Sequence, residues 1–360
     1  MGLNAELIGQ EFDDEEIVSD DDAAQRHLVL DIIIDRGQEP LRIDKFIQNR
    51  MASSTRNKIQ QGIDDGDVLI NGKTVKANYK VRPGDALQIY SFRPPESQEI
   101  VPENIPLDIV FEDEHILVIN KPAGMVVHPG VGNYSGTVVN ALSYYLQQQG
   151  TETNELPRVG LVHRIDKDTT GLLVVGKTEK AMFGLAEQFK EHTVDRRYTA
   201  LVWGDVEENE GTIRTNIARH ARFRKLFDTY DYEGETGKTA ITHYRVIERF
   251  NYVTLVECEL ETGRTHQIRV HMRSIGHTLF GDRTYGGDSV LKGTVFAKYK
   301  QFVDNCFSLL PRQALHARTL GFTHPISGER LHFEQALPAD MESVMEKWHT
   351  YVKAKKLTDG

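Results

Sequence analysis

Between Gly160 and Thr178 the chain reads GLVHRIDKDTTGLLVVGKT. Five ionisable side chains fall within six positions, His163, Arg164, Asp166, Lys167 and Asp168, and an apolar run, Leu172-Leu173-Val174-Val175, follows at once. That run has the length and composition of a buried strand. The charges therefore sit on a turn held by a rigid element, which is where catalytic groups tend to lie. A carboxylate in such a setting can act as a nucleophile or an electrostatic stabiliser. The same cluster can also be a solvated turn whose charges pair locally. A hydrolase built on Asp166 and His163 is a further reading, but neither a nucleophile elbow nor a metal shell accompanies the pair.

Three other segments carry groups suited to chemistry. Residues 261–272 read ETGRTHQIRVHM, where Thr265 can cap a helix and Thr265, Arg269 and Arg273 follow at four-residue spacing on one helical face. His266 and His271 stand five apart, do not share a face and lack an acid or Cys to complete a shell, so no metal is expected. Residues 195–204, DRRYTALVWG, have strand character with Tyr198 in the middle. Residues 214–225 gather Arg214, Arg219, His220, Arg222, Arg224 and Lys225 beside Phe223 and Phe227, the mixture of bases and aromatics that binds nucleic acid.

The elements that must position these groups follow no regular βαβ order. Strands are expected at 28–34, 67–72, 86–90, 109–111, 116–119, 172–175, 195–204, 242–248, 252–259, 314–320 and 331–333. Helices are expected at 41–51, 53–63, 137–149, 179–192, after Thr265 and at 339–356. Ile43 departs from the apolar stripe of the first helix, Ser53 and Ser54 offer a cap for the second, and Asn71-Gly72 signals a hairpin. Strand-rich order with scattered helices is that of an α+β protein.

Composition limits the alternatives. With 39% hydrophobic and 27% charged residues over 360 positions, the chain reads as soluble globular material of one or two domains. No apolar run approaches the ~20 residues a membrane span requires, and no secretory leader opens the chain. Cys258 and Cys306 are too few for a disulfide framework or a zinc site and read as buried fillers. A cytoplasmic location is expected. Of the net charge of −10, nine acids in residues 1–25 account for most, and taking those nine away leaves −1. Residues 41–90 hold nine Lys or Arg against five Asp, a basic island suited to phosphates.

HRID, RRYTAL and GRTHQIRVH, preceded by INKPAGMVVHPG and in that order, resemble the signature segments of the RluA-type pseudouridine synthases, and most closely the RluD-like branch. Residues 41–90, with the GDVLING strand and turn, resemble an S4 RNA-binding domain. The likeness runs from about 41 to 337; residues 226–239 are longer and more acidic than the family pattern. It implies a catalytic domain over 107–360 with a mixed, largely antiparallel sheet, and a small α/β S4-like domain over 28–90. A linker at 91–106 and an acidic, disordered tail at 1–27 complete the expected organisation. In the family pattern Asp166 is catalytic, Tyr198 lies against the target base and Arg269 pairs with Asp166. Arg164 fills the space that an extruded nucleotide leaves. RNA contacts are expected from His163, Lys121, Arg42, Arg56, Lys58, Arg219, Arg222, Arg224 and Arg264. Asp168 is expected to stabilise the turn through its side chain. The implied reaction is an isomerisation of uridine in 23S rRNA of the large ribosomal subunit. It needs no cofactor and no metal, and a monomer is expected. A tRNA-directed enzyme and a non-catalytic RNA-binding assembly factor are the alternatives.

Overall fold

The computed structural model describes residues 27–50, 56–91, 100–130, 133–150, 156–223, 226–294 and 296–358. They form two compact units, one within Val18–Glu99 and the other Ile100–Gly360. Residues 1–26 of the expected tail and half of the expected linker, 92–99, lie outside the described residues, as do Ser53, Ser54 and Arg224.

In the smaller unit, β1 (His27–Ile33), β6 (Ala86–Ser91), β3 (Val68–Ile70) and β4 (Lys73–Thr74) form one sheet in that order. Two helices, α1 (Ile43–Arg50) and α2 (Arg56–Asp64), bring Ile43, Phe46, Ile47, Ile59 and Ile63 onto Val68, Ile70, Leu87 and Ile89. Leu41 and Arg42 are not helical: as β2 they pair with β5 (Lys80–Val81). The helix therefore begins at Ile43, which is why Ile43 fell off a stripe counted from Leu41. Asn71 and Gly72 both take positive φ, 52° and 76°, as the two-residue turn joining β3 to β4 demands.

The larger unit is built on a ten-stranded sheet. Its path runs β12 (Phe227–Tyr230), β11 (Glu210–Arg219), β13 (Lys238–Arg249), β14 (Val253–Leu260) and β10 (Asp195–Trp203). It continues through β15 (Leu315–Thr323), β9 (Thr170–Gly176), β8 (Ile116–Lys121) and β7 (Ile109–Glu112), with β16 (Arg330–Glu334) on the side of β15. All these pairs are antiparallel except β15 with β9. That one parallel join sets Gly171 against Ala317 so closely that a Cβ on Gly171 would lie 2.2 Å from the Ala317 carbonyl oxygen, and φ there is 117°. Only glycine fits.

Helix α3 (Val138–Gln148) opens on Thr137, whose hydroxyl accepts from the Asn140 amide while the Asn140 side chain accepts from the Thr137 amide. Helix α4 (Glu179–Lys190) is capped by Thr178. Both cover one core, into which β8, β9 and β10 send Leu117, Ile119, Leu173, Val175 and Ala200. A second core gathers Trp203, Phe250, Phe280 and Tyr299 under α6 (Ala297–Leu309) and α7 (Ala339–Thr358), with Trp348 of α7 fully enclosed. Helix α5 (Gln267–Ser274) crosses beside β11 and β13.

Candidate active site

The charged turn is held from every side. Leu161 bridges Val175 in antiparallel fashion, and the Val174 amide donates to His163 Nε2 (3.0 Å), so residues 161–163 run along the part of β9 that its short pairing with β15, at Thr170 and Gly171, does not reach. Between these two arms the Thr169 amide donates to the Asp166 carbonyl (3.1 Å), closing a turn with Asp166 as its first residue. Lys121, at the end of β8, donates from Nζ to the carbonyls of Pro122 (2.7 Å), Met125 (2.9 Å) and Lys167 (2.9 Å). Arg312 donates to the Asp168 carbonyl (3.0 Å), and the Thr170 hydroxyl pairs with His316 Nδ1 (2.8 Å). Strand β9, the end of β8 and residues 312–316 thus fix one turn.

Asp166 faces a cleft, open to solvent, that it shares with Tyr198, Arg164, Arg196, Arg264 and Arg269. The cleft wall carries four guanidiniums against one carboxylate, a charge pattern suited to a polyanion. Helix α5 delivers Arg269, whose Nη1 donates to Asp166 Oδ2 (3.0 Å). Its remaining edge grips Asp282 in a two-pronged contact, Nε to Oδ2 at 2.7 Å and Nη2 to Oδ1 at 2.9 Å. Asp282 is completely buried, and its Oδ1 also accepts from the amides of Thr284 and Tyr285. The Tyr285 ring lies 5.1 Å from the Arg269 guanidinium carbon, closing its flat face. Arg269 is therefore aimed before any ligand arrives.

These contacts set the charge states. Burial alone would raise the Asp166 pKa, but His266 where acid protonates it, then Arg269 with its hydrogen bond, and Arg164, hold it below the usual carboxylate value. Burial also lowers Arg269, yet Asp282 and Asp166 reverse that and leave its guanidinium more firmly protonated than usual. Tyr198 comes from the centre of β10, where the register with β15 slips between Arg197 and Tyr198. Such a bulge re-aims a side chain, and Tyr198 lines the cleft while remaining mostly buried.

Of the residues singled out from the sequence, Asp166, Tyr198, Arg269, Arg164 and Arg264 meet in this cleft. Arg264 also donates from Nε to the Thr239 carbonyl (3.0 Å). Two others do not face a ligand. His163 is 2% exposed, stacks on Phe189 at 4.4 Å and is driven by burial to a pKa of about 3, so it is a neutral packing group. Lys121 is 1% exposed, with its ammonium committed to three carbonyls, and burial lowers its pKa to about 7. Both were expected to touch RNA; their burial corrects that, and they serve the turn instead. Arg42 spends its fork on the buried Asp44, at 3.1 and 2.8 Å. Arg219 and Arg222 stand apart from the cleft wall, at the end of β11 and in the turn after it, against Phe227 and Phe223 respectively. The side chains of Arg56 and Lys58, like all of Arg224, lie outside the described residues.

Two further expectations change. Thr265 does not cap α5: His266 occupies that position, and Gln267 reaches back instead, its Oε1 accepting from the Arg264 amide (2.9 Å) and the Thr262 hydroxyl (2.9 Å). At Asp168 the group that stabilises the turn is the carbonyl rather than the carboxylate. Sequence reasoning missed Asp282 and Tyr285, since nothing in the local string GDRTYGG signals a buried partner for a helix residue thirteen positions back. His271 has both ring nitrogens occupied by the hydroxyls of Thr215 and Thr242. Among the described residues, no group of three or more His, Cys, Asp or Glu is arranged to hold a metal ion. Likewise no described helix is long and apolar enough to cross a membrane.

Comparison with known proteins bears on the same residues. The family profile described as RNA pseudouridylate synthase matches residues 115–274, and the S4 domain profile matches residues 41–87. A relative from Chlorobaculum parvum, described as an uncharacterized RNA pseudouridine synthase, is 45% identical over 324 residues, covering 90% of this chain and 98% of its own. The ribosomal large subunit pseudouridine synthase D of Nitrosomonas europaea is 43% identical over 306 residues, covering 85% and 84% respectively. The solved structure of human RNA pseudouridylate synthase domain containing 4 shares the fold, with a TM-score of 0.51 over 67% of this chain and 93% of that one at 23% identity.

Proposed function

The chain belongs to the RNA pseudouridine synthase family, and on that premise we propose that it converts uridines of large-subunit ribosomal RNA, 23S rRNA, to pseudouridine. In this reading residues 107–360 carry the chemistry, and residues 28–90 form an S4-like module that positions RNA through its phosphates. The observation that carries the proposal is the single carboxylate of Asp166, ionised and clamped by Arg269, in a cleft walled by arginines.

The reaction is an isomerisation. The C1′–N1 bond breaks, the uracil turns, C1′ bonds to C5, the C5 hydrogen leaves as a proton and N1 ends protonated. Composition is conserved, so no redox partner is needed. Uracil inside a helix cannot reach Asp166, so the nucleotide must leave its stack, at a cost of a few kcal/mol. Contacts from the phosphates to Arg164 and Arg264 offset that cost. Tyr198 presents a ring against which the extruded base can lie. Asp166 meets the carbon that becomes electron-poor, and only its ionised form can do so. Arg269 keeps it ionised.

The test is to incubate large-subunit rRNA fragments with the wild-type protein and with Asp166→Asn, then map pseudouridine by carbodiimide reaction or mass spectrometry. New pseudouridine with the wild type alone is the expected result. Pseudouridine in tRNA but not rRNA overturns the substrate. No product on either RNA, with binding intact, overturns the activity in favour of an assembly factor.

A further inference from the structure

Beside Asp166 the cleft holds a histidine that the reading above leaves without a task. His266 stands at φ 57°, a left-handed conformation uncommon for a residue with a Cβ, and lines the same cleft as Asp166, Tyr198 and Arg269. Its ring is 94% hidden, being 6% exposed, and packs edge-on to both Tyr285 and Phe227. Backbone strain at a non-glycine residue persists where the surroundings over-determine it. Here Tyr285 does so, through a 2.8 Å bond between its hydroxyl and His266 Nδ1.

The direction of that bond follows from a second one. The Phe227 amide donates to the Tyr285 oxygen at 3.1 Å, so the oxygen already accepts, and its own hydrogen needs an acceptor. Nδ1 is that acceptor. The reverse arrangement would strand a buried phenolic hydrogen, which costs more than the bond returns. The ring hydrogen of the neutral imidazole therefore sits on Nε2, and among the described residues Nε2 has no protein partner. The imidazole is neutral because burial, then the Arg269 charge, brings its pKa down to about 4. A cation here would instead compete with Arg269 for Asp166.

We propose that His266 touches the substrate, its Nε2–H donating to a carbonyl oxygen of the extruded uracil. The proposal rests on the functional reading above. As C1′–N1 breaks, the bonding pair stays with the base and spreads onto its carbonyl oxygens. Addition of a carboxylate to the base would put negative charge on the same oxygens. A fixed neutral donor gains strength as that charge grows, so it favours the transition state over the bound substrate. No proton leaves His266 in this role: the C5 proton and the N1 proton are exchanged elsewhere, and the imidazole ends as it began.

Two measurements on the full chain test this. The first is a long-range proton–nitrogen spectrum of protein labelled with ¹⁵N-histidine at pH 7, alone and with an RNA oligonucleotide carrying the uridine that wild-type mapping identifies. Nε2 as the protonated nitrogen of His266, with its shift moving when RNA binds, is expected. Nδ1 as the protonated nitrogen, or an Nε2 signal indifferent to RNA, overturns the proposal. The second compares wild type with His266→Asn, a residue that tolerates the left-handed backbone, and with Tyr285→Phe, which keeps the imidazole but removes its proton donor. Loss of a donor to a developing oxyanion predicts a fall in kcat of about 10²-fold for His266→Asn, with KM within about threefold. A smaller fall in kcat is expected for Tyr285→Phe. Unchanged kcat in His266→Asn overturns the role. Wild-type protein that makes no pseudouridine in any RNA overturns the functional reading itself, an outcome that needs no variant and is told apart on that ground.

Discussion

At the scale of the residue, one guanidinium serves two carboxylates that differ in exposure. Asp282 is sealed and takes two of the Arg269 nitrogens, while Asp166, with 21% of its side chain exposed, takes the third and keeps its other oxygen for the cleft. A lysine in place of the arginine would be a point charge unable to span both acids. Arg269→Lys should therefore let burial dominate at Asp166 and raise its pKa. The sign of the stability effect follows. A carboxylate whose folded pKa is depressed adds stability above its unfolded pKa and loses it as pH falls through the folded value. Acid unfolding of Arg269→Lys should then begin at higher pH than in the wild type, and the acid limb of kcat should move up with it. Carboxyl ¹³C titration of Asp166 checks both. An Asp166 that titrates identically in the two proteins would mean that Arg269 does not set its charge.

At the scale of the element, the turn that carries Asp166 is tied to the far end of the chain. Arg312 precedes β15 and forks onto Asp340 in the first turn of α7 (2.7 and 2.8 Å), while its third nitrogen donates to the Asp168 carbonyl. The guanidinium is 95% hidden, being 5% exposed, so removing it strands a partly buried carboxylate and three carbonyls. Arg312→Met should cost about 3–5 kcal/mol and lower kcat more than it raises KM, because the turn loses one of its holds. Denaturant unfolding of Arg312→Met, Asp340→Asn and the double variant should give a coupling of about 1–3 kcal/mol. Additive effects would show that α7 and the turn are independent. Little of this link could be read from sequence. Strongly patterned elements were legible: the helices expected at 137–149 and 179–192, the Asn71-Gly72 hairpin, and the strand that follows the Asp166 turn. The α6 helix was not, although Tyr299, Phe302, Val303, Cys306 and Phe307 follow helical spacing; its N-cap is Phe296, which offers no side-chain bond, and so no start signal. The roles of Lys121, His163, Asp282 and Arg312 depend on burial, which arises where distant strands converge and leaves no local mark.

At the scale of the whole molecule, the charge that matters to RNA is unevenly shared. The cleft wall and the basic island of residues 41–90 are positive, yet the chain carries −10, nine of which lie in residues 1–25. A polyanion at contact meets the local field, while one still approaching meets the summed charge, over a range set by the Debye length, about 8 Å in physiological salt and longer at lower ionic strength. The acidic segment should thus act mainly on association. Deleting residues 1–25 takes the net charge to −1 and removes repulsion without touching any group in the cleft. The expected result is a faster on-rate for RNA, with a difference between the two proteins that grows as ionic strength falls. The dissociation rate and the single-turnover rate of bound RNA should be nearly unchanged. Stopped-flow binding at several salt concentrations measures this directly. A deletion that alters the rate of the bound step would instead place the segment at the cleft, as a competitor with RNA for the arginines of its wall.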